Sequence, residues 1–182
     1  MSKVLVYIAD GMEEVECLSV VDMLRRGGVE VQMVSINGKA EVTGAHGIRV
    51  GADCLLEGSD PDSADMLFLP GGMPGTRYLR ESEEVCGALK AAADAGKHLA
   101  AICAAPSVLG ELRLLEGKKA TCYPGFEKQL LGAEYCHDGV VTDGAVTTAR
   151  GVGFAVDLGL ELVRILLGEE KSAEIRESIQ HP

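Results

Sequence analysis

The segment Lys3-Val4-Leu5-Val6-Tyr7-Ile8-Ala9 is a nearly continuous apolar run of β-favouring residues, without the polar alternation of a half-exposed strand. Such a strand has to be covered on both faces, which a parallel sheet flanked by helices provides. The run Met66-Leu67-Phe68-Leu69 and the stretch His98 to Ile102 read the same way. Helical patterns lie between the strands. From about Glu14 to Arg26 apolar residues fall at Val15, Leu18, Val21 and Leu24, and Gly27-Gly28 supplies a stop before a second strand, Glu30 to Ile36. A right-handed βαβ unit is expected.

The alternation continues along the chain. Asn37-Gly38 and the Gly-rich, β-branched stretch Lys39 to Val50 predict a peripheral hairpin. Helices are expected from about Ser82 to Ala95, Ala105 to Leu115 and Phe154 to Leu167, with a polar, exposed helix in the tail Glu169 to Pro182. Strands are expected near Ala120 to Cys122, Val140 to Thr142 and Val146 to Ala149. The sum is a flavodoxin-like, doubly wound, mostly parallel sheet with helices on both faces, as one domain over residues 1–182.

In such sheets ligands bind outside the carboxyl ends of the strands. Three segments converge there: Ala9-Asp10-Gly11, Pro70-Gly71-Gly72 and Cys103-Ala104-Ala105. In Ala100-Ala101-Ile102-Cys103-Ala104-Ala105-Pro106 a nucleophile-type residue stands where a buried strand turns directly into a helix, the layout of a nucleophile elbow. Pro106 suits the first turn of that helix, whose N-terminus is expected to favour the Cys103 thiolate. The competing reading is a small buried cysteine that fills space. That packing reading is the default for Cys17, Cys54, Cys86, Cys122 and Cys136.

Pro70-Gly71-Gly72 lacks a following Gly-Lys-Ser/Thr and is therefore no phosphate-binding P-loop. It is either a plain turn or a close backbone approach that presents an N–H to a developing oxyanion. Glu13, Glu14 and Glu16 open the first helix, where the dipole favours acidic residues. Glu16 lies oblique to the expected core face, so its carboxyl could be partly buried and kept protonated.

Charge narrows the partners. Seventeen basic against 28 acidic residues give a net charge of −11, which repels nucleic acid and anionic lipid surfaces. No apolar run approaches a membrane span, and the N-terminus lacks the pattern of a signal peptide, so a cytoplasmic location with free thiols is expected. The six cysteines lack Cys-x-x-Cys spacing and the four histidines are scattered, so no metal site is expected.

Taken together, Asp10-Gly11-Met12-Glu13-Glu14-Val15-Glu16, Leu69-Pro70-Gly71-Gly72, the Cys103 elbow and Thr148-Ala149-Arg150-Gly151 resemble the ThiJ/PfpI superfamily, in the branch of the parkinsonism-associated deglycase. The resemblance covers nearly the whole chain in the right order. It implies that Glu16 is the protonated partner of Cys103, and that the N–H groups of Gly72 and Ala104 form an oxyanion hole. It places Gly71, Tyr123, His46 and Arg150 around the substrate pocket. Two positions of the expected pocket depart from the pattern: Tyr123 stands where members carry a histidine, and His46 replaces an arginine of the hairpin. Val152 also occupies the place of an expected proline.

The resemblance implies a cofactor-free glyoxalase III-type or deglycase activity on methylglyoxal, glyoxal or their early adducts with protein side chains, in a homodimer. A rival from another class is a non-enzymatic redox sensor or chaperone that uses the same thiol. Peptidase or amidotransferase chemistry needs a histidine beside the nucleophile, and the residue after Cys103 is Ala104.

Overall fold

The computed structural model describes all residues, Met1–Pro182. Its chain order is β1 (Lys3–Ile8), α1 (Glu14–Arg26), β2 (Glu30–Ser35), β3 (Glu41–Thr43), β4 (Arg49–Gly51), β5 (Cys54–Leu55) and β6 (Met66–Leu69). There follow α2 (Gly75–Glu81), α3 (Glu83–Asp94), β7 (His98–Ile102), α4 (Pro106–Glu111), β8 (Lys119–Ala120) and β9 (Glu134–Tyr135). The chain closes with β10 (Val140–Asp143), β11 (Val146–Ala149), α5 (Ala155–Leu167) and α6 (Glu169–Ser178).

Seven strands form one sheet in the order β10-β11-β7-β6-β1-β2-β5, parallel except for β10. Because side chains alternate along a strand, β1 serves two cores. Val4, Val6 and Ile8 pack with α1 and α5, whereas Leu5, Tyr7 and Ala9 pack with residues of α2, α3 and α4. This is the expected doubly wound arrangement. The β3–β4 hairpin stands apart from the sheet and docks on the loop after β1, where the Gly11 N–H donates to the Thr43 carbonyl at 2.8 Å. No helix is long and apolar enough to cross a membrane.

Four expectations change. Val15 and Leu18 do not face the core but are 51% and 38% exposed, while Cys17, Val20, Val21 and Leu24 are buried. At 3.6 residues per turn, steps of three lag by about 60° each, so the Val15-Leu18-Val21-Leu24 stripe winds about halfway round the helix. The 17-20-21-24 set keeps to one face. The elbow helix is shorter than expected and ends at Glu111, because the chain enters the left-handed region at Arg113 (φ 63°). The segment between Gly75 and Ser82, for which no element is expected from the sequence, forms α2. The short strand at Lys119–Ala120 pairs with β9 outside the main sheet.

Candidate active site

Three loops at the carboxyl edge of the sheet build the site. The first follows β1 and opens α1. Glu13 caps that helix, its carboxylate accepting the Glu16 N–H at 2.6 Å, and the Glu13 N–H donates to the Gly71 carbonyl at 2.9 Å. The start of α1 is thereby tied to the loop after β6. Glu16 faces inward on the first turn and is 1% exposed.

The second loop is Pro70-Gly71-Gly72. The Gly71 N–H donates to Glu16 Oε2 at 3.1 Å. A Cβ at Gly71 would lie 2.5 Å from both Cys103 Cβ and Glu16 Oε2, and 2.8 Å from the Ile102 carbonyl oxygen. Only a residue without a side chain lets the carboxyl and the thiol meet across this backbone. Gly72 has φ 88°, and a Cβ there would run into the Glu13 N–H and the Gly11 carbonyl.

The third loop is the elbow itself. Cys103 sits at φ 65°, left-handed backbone that costs a non-glycine residue about 1–2 kcal/mol. Two hydrogen bonds hold it: its N–H donates to the Ala149 carbonyl at 2.9 Å, and its carbonyl accepts the Tyr123 N–H at 2.8 Å. The half-buried thiol and the Glu16 carboxyl lie against the same face of Gly71, close enough to shift each other's titration, and the N–H groups of Gly72 and Ala104 favour the ionised sulfur.

Electrostatics at the pair depart from the expected helix effect. Burial raises the Glu16 carboxyl to about 7, against the opposing Cys103 contact and Gly71 N–H. Burial and then an ionised Glu16 push the Cys103 thiol up to about 12, with the Gly72 and Ala104 N–H groups opposing. The helix α4 is short, six residues from Pro106, and the downward pull of the Ala104 N–H at its entrance is outweighed by burial and by Glu16. Two adjacent buried acids do not both ionise, so above the carboxyl's value of about 7 the pair holds a single proton. When Glu16 keeps that proton, the charge that suppresses the thiolate is gone.

The remaining expected pocket residues are more dispersed. Tyr123 is joined to Cys103 through its backbone, its ring half exposed and close to Gly151. Arg150 donates to the His137 carbonyl at 3.3 Å. His46, in the β3–β4 turn, is drawn instead to Glu14: its Nδ1 lies 2.8 Å from Glu14 Oε2 and its N–H donates to Glu14 Oε1 at 2.8 Å. The carboxylate raises the imidazole above its ordinary value. Glu14, expected from the sequence only as acidic charge favoured by the helix dipole, is buried and anchors the hairpin. Glu13, Glu14 and His46 bring three donor atoms within 4.8 Å of one another, but the close His46–Glu14 pair already accounts for that cluster.

Residues 2–165 match the model of the DJ-1/PfpI family. DJ-1 homolog B of Arabidopsis thaliana is 39% identical over 175 residues, which are 95% of this chain and 40% of that protein. The chain thus spans less than half of the Arabidopsis homologs A and B. A deglycase of Pyrococcus abyssi is 32% identical over 166 residues, 90% of this chain and 99% of the relative. The structure of oxidized Toxoplasma gondii DJ-1 superposes with a TM-score of 0.95 at 34% identity, covering 99% of this chain and 98% of the other. With a family match over most of its length and relatives of this similarity in both sequence and fold, the chain belongs to the DJ-1/PfpI family.

Proposed function

We propose that the protein is a cysteine-dependent, cofactor-free glyoxalase or deglycase acting on methylglyoxal, glyoxal or their early adducts with amino and guanidinium groups. The observation that carries this reading is the Cys103–Glu16 pair: a thiol beneath two backbone N–H donors, against a buried carboxyl raised to about 7. A carboxyl near that value can give and take a proton at neutral pH. The deglycase of Pyrococcus abyssi supports the substrate class.

The chemistry balances without a cofactor. The Cys103 thiolate adds to the aldehyde carbon, and the carbonyl π electrons become an alkoxide held by the Gly72 and Ala104 N–H groups. Glu16 gives its proton to that oxygen, forming a hemithioacetal. As carboxylate it then removes the hydrogen from the former aldehyde carbon, and the resulting enediol is reprotonated at the neighbouring carbon. This yields a thioester of the 2-hydroxy acid. Water cleaves it, releasing the acid and restoring the thiol. For a protein adduct, the amine leaves when the thiol takes over the carbon.

The test is methylglyoxal consumption with identification of the acid formed. Wild type should convert it to lactate, whereas Cys103→Ala should not and Glu16→Gln should be at least about a hundredfold slower, the scale of a lost general acid–base. Full activity in Cys103→Ala would overturn the assignment.

A further inference from the structure

On the sheet face served by α2 and α3, away from Cys103, lies a cavity of about 560 Å³, a size that suits a small organic ligand. It is bounded by the end of β1 at Tyr7, the turn Ile36–Gly38 after β2, the segment from Leu56 to Pro61, and the α2–α3 pair. None of the residues around the thiol lines it.

Two polar groups in this lining have no hydrogen-bond partner. One is the hydroxyl of Tyr7, a side chain 0% exposed; the other is the amide nitrogen of Asn37. Unpaired buried polar groups are costly, and native structures rarely keep two in the lining of one cavity without use. Burial pushes the Tyr7 phenol up to about 12, so its hydroxyl stays protonated and able to donate. Apolar contact is available on Ile36 and Leu56. The rim carries three exposed carboxylates, Glu57, Glu81 and Glu84. Arg77 approaches Glu81 only at 3.9 Å and stacks on the Tyr78 ring. The mouth therefore favours a cation and the interior an oxygen acceptor.

We propose that this cavity binds a small aliphatic ammonium compound that carries a carbonyl oxygen. The ammonium faces the Glu81 and Glu84 rim, the oxygen accepts from Tyr7 and Asn37, and the alkyl group rests on the apolar wall. The site is independent of the reaction at Cys103, so it stands or falls without reference to turnover.

Leucinamide is a suitable probe, since it combines the three features, and amide chemical-shift titration of the full chain reads both affinity and location. It should bind with a Kd of about 1 mM and shift resonances around Tyr7, Asn37 and Tyr78. N-acetyl-leucinamide lacks the cation, 3-methylbutylamine lacks the carbonyl, and leucine adds a repelled carboxylate; each should bind at least about fivefold more weakly, a fraction of one hydrogen bond or ion contact. Tyr7→Phe should weaken leucinamide by the same factor while leaving the melting temperature unchanged or higher, because the hydroxyl it removes has no partner in the protein. Glu81→Gln/Glu84→Gln should weaken it and flatten its salt dependence. Shifts that map elsewhere, equal binding of N-acetyl-leucinamide, or wild-type affinity in Tyr7→Phe would each overturn the proposal.

Discussion

Replacing Glu16 by Gln tests where the single proton of the Cys103–Glu16 pair resides. Two like charges about 4 Å apart at an effective dielectric near 20 repel by about 4 kcal/mol, which is about three pKa units. Burial, the larger cause, and this repulsion together hold the thiol up at about 12 beside an ionised Glu16, so the doubly charged pair is absent at neutral pH. The singly charged pair is reactive when the charge sits on sulfur and Glu16 donates its O–H. Hydrogen bonds to a charged group contribute about 1.5–3 kcal/mol, and an amide donor retains about half of that. At 1.36 kcal/mol per unit, the thiolate should then appear about 0.5–1 pH unit higher in Glu16→Gln and about 1–2 units higher in Glu16→Ala. The assay is the pH dependence of iodoacetamide alkylation at Cys103, followed by peptide mass spectrometry. Wild type should lose reactivity as pH falls through about 7, the value to which burial raises Glu16. At pH 6, Glu16→Gln should react about three- to tenfold more slowly than wild type. Faster alkylation of either variant at that pH would refute the reasoning, because it would mean that Glu16 carries a charge beside the thiol and suppresses it.

Gly71→Ala should force Glu16 and Cys103 apart, since the new Cβ would sit 2.5 Å from each; a loss of about 1–3 kcal/mol by chemical denaturation and a collapse of the fast alkylation phase are expected. Graded peroxide should oxidise Cys103 and hold it as sulfinate between the Gly72 and Ala104 N–H groups, with Glu16→Ala retaining less sulfinate than Glu16→Gln; equal yields by intact mass would remove the Glu16 contact from the account. If the chain forms the homodimer that the family resemblance implies, the exposed Val15 and Leu18 on α1 suit its contact, and Val15→Asp/Leu18→Glu should lower the mass seen by light scattering to that of one chain. An unchanged mass would place any dimer contact elsewhere.

Much of the architecture was legible because it rests on local signals. Continuous apolar runs mark β1, β6 and β7, Ser82 caps α3 by accepting the Val85 N–H at 3.2 Å, and the cysteine at a strand-to-helix junction stands out without any neighbour in space. The seven-residue α2 escaped because a segment opening on Met73-Pro74-Gly75 reads as a turn, and too few residues follow to establish a period. The face of α1 was misplaced for a related reason: Val15 and Leu18 are as apolar as the core positions, and only the sheet and α5 determine which stripe is covered.

By itself the sequence determined the alternation of strands and helices, the acidic field that turns away polyanions, and the position of one thiol at the carboxyl edge of the sheet. Tertiary structure decided what that thiol meets. Glu16 and Gly71 are 55 residues apart, yet one backbone N–H links them, and the missing Cβ of Gly71 lets the carboxyl reach the sulfur. Burial of the pair raises the carboxyl to about 7 and reverses the thiol shift that a helix N-terminus alone would produce. The same holds for Glu14, which the fold buries against the His46 turn. Titration and contact depend on solvent exclusion and on charges brought in from distant parts of the chain, and no local pattern encodes either.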